Sequence, residues 1–296
     1  HLGPARNPGM SSLFLGCNRN KRSLVLDLKR APAKKALWRL IEGADLIVHN
    51  IRPQKIAALG FEPDTVLSRN RNIVYGSLHG YWEEGPYGGR PAFDDVIQGE
   101  SGIAGTFVAR GGDPVLMPTI VADKTAALLA STGRMAALLH RFRTGRGVYL
   151  ETSMFEGMVG YTLLEHQHGT IFNPREGEVG YPRALSPARR PHPTADGFIC
   201  MLAYTDEQWE RFWSLAGQPA RVEDPRFDSL ASRSNNIDAL YGLAGEVLRQ
   251  RSTREWLALL NEADIPAGPV NQLADLRADP HLVETCLLYT SPSPRD

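Results

Sequence analysis

Residues 45–78 read DLIVHNIRPQKIAALGFEPDTVLSRNRNIVYGSL. Asp45–Asn50 is an apolar run of strand length that leads into the polar turn Asn50-Ile51-Arg52-Pro53. Residues 54–59 fit a short helix, and Asn72–Leu78 is another apolar run rich in strand formers. Toward the N-terminus, residues 31–43 (APAKKALWRLIEG) carry the spacing of an amphipathic helix. Before them, Ser23–Leu28 forms a further strand candidate behind the basic turn Asn18–Arg22. Strands alternating with helices on this scale build a parallel, Rossmann-like α/β layer. Ligands of such sheets bind beyond the carboxyl ends of the strands, which here are Asn50–Arg52 and Ser77–Gly80. No G-x-G-x-x-G follows a strand, so a dinucleotide site is not indicated.

Residues 79–92 form a Gly/Pro/aromatic loop of a length often kept for function. Phe93–Gln98 starts a helix, and residues 101–118 are Gly-rich. Met117–Gly147 then reads as one long helix. Leu128, Leu129, Met135, Ala136, Leu138 and Leu139 recur at helical spacing, His140, Arg141, Arg143 and Arg146 suit its C-terminus, and Gly145 and Gly147 stop it. Val148–Ser153 is a strand and residues 154–169 a helix. The Gly-, Pro- and Arg-rich stretch Gly169–Pro193 reads as a linker or crossover. Beyond it come the strand Phe198–Ala203, a helix over 205–216 capped by Thr205, helices over 234–250 and 253–263, and the extended segment Ile265–Val270. The expected organisation is a large α/β domain over 1–180 and a smaller α/β domain over 194–275, with no internal repeat.

The 296 residues are 42% hydrophobic and 22% charged, enough for a sizeable core and two domains. Lys plus Arg equals Asp plus Glu at 33 each, so no nucleic acid or anionic membrane is expected as partner. The longest apolar runs fall short of a membrane span. Cys17, Cys200 and Cys286 show no metal-ligand spacing, which suits a reducing cytoplasm and a protein without a metal. The chain opens at His1 without a signal-peptide pattern. Cys286–Asp296 (CLLYTSPSPRD) breaks the local pattern and resembles the translated read-through of a sequencing adapter. The expectation is therefore a gene fragment truncated at both ends with a non-native tail at 286–296, the alternative being a genuine Ser/Pro-rich tail.

Asp123 stands alone as an acid near the start of the long helix. It fits a cap or first-turn acid that satisfies free N–H groups, and it equally fits a catalytic carboxylate. Lys21, Arg22 and Arg52 are either solvated surface bases or contacts for a phosphate-bearing ligand. Tyr87 and Arg90 either pack the 79–92 loop or line a cleft. His166 and His168 are two apart and do not share a helix face, and no G-x-S-x-G elbow occurs.

Asn18–Lys29, Ala44–Phe61, Ile73–Pro91, Phe93–Gln98 and the Asp123 helix running into Thr144-Gly145-Arg146-Gly147 together resemble the class III CoA-transferases, the CaiB/BaiF family. That family also holds an α-methylacyl-CoA racemase branch. The resemblance covers residues 18–275 in order. It implies a large Rossmann-like CoA-binding domain, a small domain, and an interlocked homodimer at full length. It also implies that the family's opening strand and helix are missing here. The resemblance makes Asp123 the nucleophile, which attacks an acyl-CoA thioester to form an aspartyl-acyl mixed anhydride before a small carboxylic acid accepts the CoA. Coenzyme A is then a substrate, and no permanently bound cofactor is needed. Asn50, Ile51 and Arg52, with Lys21, Arg22 and Arg90, become the candidate CoA contacts. Gly102–Gly105 and Gly111-Gly112 are candidate oxyanion donors. In the racemase branch a His-Asp pair stands where this chain has Phe93-Asp94. Phenylalanine cannot move a proton at an α-carbon, so transfer is expected over racemisation, and Asp94 reads as an orienting acid. The alternatives are a 2-methylacyl-CoA racemase and a non-catalytic CoA-binding fragment.

Overall fold

Three parallel strands form the frame of the site: Leu46–His49 (β1), Val74–His79 (β2) and Val148–Ser153 (β3), hydrogen-bonded in the order β1-β2-β3. In register, Leu46 lies opposite Val74 and Val74 opposite Val148. Parallel neighbours require crossovers, and helices supply them. Ala31–Gly43 (α1) precedes β1. Pro53–Leu59 (α2) and Pro63–Arg69 (α3) join β1 to β2, and Asp94–Glu100 (α4) and Val121–Thr144 (α5) join β2 to β3. Met154–His166 (α6) follows β3. The computed structural model describes residues 3–7 and 10–285, so the expectation for the 286–296 tail lies outside the described residues.

Side chains alternate between the two faces of β2. Ile73 and Tyr75 join Ile41, Ile56, Phe61 and Val66 in a buried cluster, with the Trp38 ring 4.9 Å from that of Phe61. Gly76 faces α5 on the other side, and a Cβ there would lie 2.8 Å from Arg134 Nε. The T-G-R-G segment has a physical reason at both glycines. Gly145 ends α5 at φ 69°, and a Cβ on Gly147 would sit 1.9 Å from the Ile73 carbonyl oxygen.

Two expectations are corrected here. Ser23–Leu28 forms no strand: no ladder pairs it, and Val25 is 92% exposed. A strand exists only through its partner, and none of the described residues offers one. The long helix begins at Val121, because residues 117–120 turn tightly, Thr119 N–H donating to Met117 O at 2.7 Å and Val121 N–H to Thr119 O at 2.7 Å. Its buried residues are Ala122, Ala126, Ala130 and Ala137, whereas Leu128 (72%), Met135 and Leu139 are exposed. Small residues let the helix sit close on β2 and β3, so the larger apolar stripe points away from the sheet.

The chain folds as two compact units. The first comprises residues up to Ser101 with Met117–Tyr161. The second comprises Gly102–Leu116 and, among the described residues, those from Thr162 to Thr285, which is wider than the 194–275 span read from composition. The second unit holds a three-stranded antiparallel sheet of His192–Pro193 (β4), Phe198–Met201 (β5) and Ala267–Pro269 (β6). Its helices are Asp206–Leu215 (α7), Leu230–Asn235 (α8), Ile237–Leu248 (α9) and Thr253–Glu262 (α10). The helix expected over 234–250 is thus two helices, broken at Asn236. Thr205 and Ser252 close capping boxes with Gln208 and Glu255. Phe212, Trp213, Leu240, Leu248, Trp256 and Leu260 form its core.

Candidate active site

The start of α5 is held by a carboxylate 28 residues upstream. Asp94, buried in the first turn of α4, accepts the N–H groups of Ala122 (2.8 Å) and Asp123 (3.0 Å) on one oxygen. Its other oxygen accepts Gln98 Nε2–H at 2.6 Å. Gln98 in turn accepts Met117 N–H at 2.8 Å and donates to Thr119 O at 3.3 Å. The residue before α5, Ile120, has no capping side chain. Asp94 therefore does the capping that sequence alone would assign to Asp123. The Asp123 carboxylate itself takes no hydrogen bond or ion pair from any described residue. Although it stays exposed, the protein packed around it raises its pKa, and the Asp94 charge raises it further.

Asp123 lines a cavity of about 590 Å³ at the carboxyl ends of β1 and β2. Asn50 and Arg52 enter it from the turn after β1, His79 and Gly80 from the end of β2, Glu83 and Arg90 from the loop, and Phe93 from the start of α4. Arg90 is already engaged. It pairs with Glu100 at 3.3 Å and stacks over the rings of Tyr87 (4.6 Å) and Tyr81 (5.1 Å). Tyr81 O–H donates to Glu100 at 2.7 Å, and burial with that bond pushes its pKa up to about 12. Arg52 has no acidic partner among the described residues. Phe93 is 80% exposed and has no ring partner.

The turn after β1 is set by His49. Tyr75 O–H gives its one proton to Phe61 O at 2.7 Å, so it accepts from His49 Nε2–H at 2.8 Å. His49 Nδ1 then accepts Ile51 N–H at 3.1 Å. Burial, followed by the neighbouring His79, lowers the His49 pKa to about 4, which keeps the ring neutral and Nδ1 free to accept. Sequence gave no signal for this role beyond the position of His49 at a strand end.

The family model for CoA-transferase family III matches residues 1–295. The chain belongs to CoA-transferase family III.

Among relatives of this family III chain, a probable fatty acyl-CoA transferase of Mycobacterium tuberculosis, Rv3272, is 33% identical over 270 residues, covering 87% of this chain and 68% of the relative. Human succinyl-CoA:glutarate CoA-transferase is 24% identical over 291 residues, covering 96% and 65%. A crystal structure of Rv3272 aligns with TM-score 0.79 at 30% identity, covering 91% of this chain and 71% of that one. A CaiB/BaiF family protein from Brucella suis aligns with TM-score 0.76 at 26% identity, covering 93% and 73%.

Of the residues singled out from sequence, the family III chain brings Asp123, Asn50, Arg52 and Arg90 into one cavity. Lys21 and Arg22 are exposed and stand outside its lining, and Lys21 Nζ donates to Cys17 O at 2.7 Å. The Ile51 side chain packs against the buried cluster, leaving its backbone to shape the turn. Gly102–Gly105 and Gly111-Gly112 belong to the second unit. Among the described residues, no His, Cys, Asp and Glu are grouped to hold a metal ion, and no helix is long and apolar enough to cross a membrane.

Proposed function

We propose that this chain is an acyl-CoA:carboxylate CoA-transferase in which Asp123 is the nucleophile. One observation carries the reading: Asp94 takes over the helix cap, and the Asp123 carboxylate is left unpaired in a cavity at the strand ends. An Asp123 oxygen attacks the thioester carbonyl carbon. The C–S bond breaks, and CoA leaves as its thiolate, giving an aspartyl-acyl mixed anhydride. The thiolate then attacks the Asp123 carbonyl of that anhydride and releases the donor acid. The acceptor carboxylate displaces the thiolate to form a second anhydride, and return of the thiolate to the new acyl carbon yields the product thioester and free Asp123. Each step exchanges one acyl bond for another, so no redox equivalent is consumed.

Arg52, unpaired at the start of α2, suits the phosphates of CoA, and the Asn50–Arg52 turn presents its backbone beside them. The names of relatives span fatty acyl and dicarboxylic acyl groups. Phe93 favours transfer over racemisation, because it removes an acid/base beside Asp123. The reading also takes the enzyme to work as an interlocked homodimer at full length, as the family resemblance implies, and in the cytoplasm, as its cysteine usage suits. The test is trapping with hydroxylamine: incubation with an acyl-CoA should give a hydroxamate at Asp123. Asp123→Ala should lose transfer by at least about 1,000-fold, the scale of a lost covalent route. Transfer retained by that variant would exclude the nucleophile.

A further inference from the structure

We infer that the acyl groups accepted at Asp123 are uncharged and apolar, and that the Phe93 ring selects them. The inference rests on Asp123 being the acyl-accepting residue and goes on to name what it accepts. The cavity holds two arginines: Arg90 is already engaged, and Arg52 is the one that the proposed function assigns to the phosphates of CoA. Arg90 is paired with Glu100 and stacked between two tyrosines. Arg52 lies in the turn after β1 without an acidic partner, and on the proposed function it is taken up by the phosphates of CoA. A carboxylate, Glu83, lies in the same lining. Its Oε1 is 3.5 Å from Gln54 Nε2, and its Oε2 is buried without a hydrogen-bond partner. A dicarboxylic acyl group would bring a further anion to this partly desolvated carboxylate, and once Arg52 holds CoA no unpaired arginine of the lining is left to offset it. His79 adds no charge, since burial lowers its pKa.

Leu78, Pro91, Ala92, Phe93 and Met154 give the wall its apolar part, beside the polar Asn50. Phe93 is the unusual member. A phenylalanine that is 80% exposed and touches no other ring leaves a large apolar face uncovered. Its place is fixed, because its neighbour Asp94 holds the N–H groups of Ala122 and Asp123. Ring and nucleophile thus belong to one hydrogen-bonded frame, and an acyl chain attached to Asp123 has that face beside it to cover.

The test is a donor series with one fixed acceptor acid: acetyl-, butyryl-, hexanoyl-, succinyl- and glutaryl-CoA, assayed with the wild-type chain, Phe93→Ala and Phe93→Leu. Burying each methylene on the ring should raise kcat/KM about fourfold. Hexanoyl-CoA should then exceed succinyl- and glutaryl-CoA by at least tenfold. Phe93→Ala should flatten the chain-length dependence, Phe93→Leu should retain most of it, and affinity for free CoA should be equal in all three. Because Phe93 is exposed, neither variant removes core packing, and equal CoA affinity reports an intact fold. A preference for succinyl- or glutaryl-CoA, or a chain-length slope unchanged in Phe93→Ala, overturns the inference while leaving Asp123 as nucleophile. Absence of a hydroxamate at Asp123 with every donor overturns the nucleophile and this inference with it.

Discussion

Replacing Asp94 tests whether a remote carboxylate positions the nucleophile. Asp94→Ala strips the acceptor from two backbone N–H groups and from the Gln98 amide. Loss of a helix cap costs about 0.5–2 kcal/mol. A buried donor left unpaired costs about 1–3 kcal/mol. The two costs overlap at the start of α5, so a destabilisation of about 3 kcal/mol is expected from urea unfolding. The first turn of α5 then loosens. A displacement of about 1 Å at a reacting group costs on the order of 100-fold in rate. Transfer should fall by at least that much, with a smaller change in CoA affinity.

Two further variants separate hydrogen bonding from charge. In Asp94→Asn the remaining oxygen can still accept both backbone N–H groups, but the new amide meets Gln98 Nε2 donor to donor. Adding Gln98→Glu restores an acceptor there and keeps one carboxylate in the pair, at the loss of the bond to Thr119 O. The expected order of stability is wild type, then Asp94→Asn with Gln98→Glu, then Asp94→Asn, then Asp94→Ala. Asp94→Asn also removes the charge that helps to raise the Asp123 pKa, so the acid limb of the rate profile should move to lower pH. An Asp94→Ala chain with an unchanged urea midpoint and transfer rate would refute the frame. So would a double variant no better than Asp94→Asn alone.

Two other outcomes follow from the turn after β1. His49→Ala leaves Ile51 N–H without its acceptor and should raise KM for acyl-CoA by up to about tenfold, with kcat little changed. The His49 pKa is lowered from 6.5 to about 4, so its contribution to stability is intact above pH 6.5 and lost as pH falls from there toward 4. The urea midpoint of the wild type should therefore fall more steeply across this window than that of His49→Ala. Equal sensitivity would count against the neutral imidazole. Arg52→Ala should raise KM for CoA donors by about 10- to 100-fold and weaken its dependence on salt, the scale of a lost charge-assisted bond to phosphate. Lys21→Ala and Arg22→Ala, outside the cavity, should stay within about twofold of wild type, and the reverse ranking would move the CoA site.

Local pattern was enough wherever an element is decided by its own residues. The α1 helix spans the same residues, Ala31–Gly43, as its amphipathic spacing marks out, β3 is Val148–Ser153 as read, and Thr205 caps α7. Pattern failed where a partner decides. Ser23–Leu28 has strand chemistry but no ladder, because hydrogen bonds to a neighbouring strand cannot be read from one segment. In α5 the leucines mark a helix, yet alanines make the face that fits the sheet, because close approach rewards small size over hydrophobicity. His49 carries no motif, and its role exists only through Tyr75, Phe61 and Ile51.

Asp123 shows the same limit most sharply. An acid in a first helical turn is ambiguous from sequence because its carboxylate can satisfy the free N–H groups and lower its own pKa in doing so. Once Asp94 accepts those N–H groups, that compensation is gone. With no cap to satisfy, Asp123 has its pKa raised, first by the protein packed around it and then by the Asp94 charge. A carboxylate so placed adds nothing to the cap and is poorly stabilised as an anion. On the proposed mechanism, poor stabilisation of the anion would make it a better nucleophile toward a thioester. Asp94 thus removes the structural explanation for Asp123 and adds to the pKa rise that the proposed mechanism would use, and that link spans two helices that no local window contains.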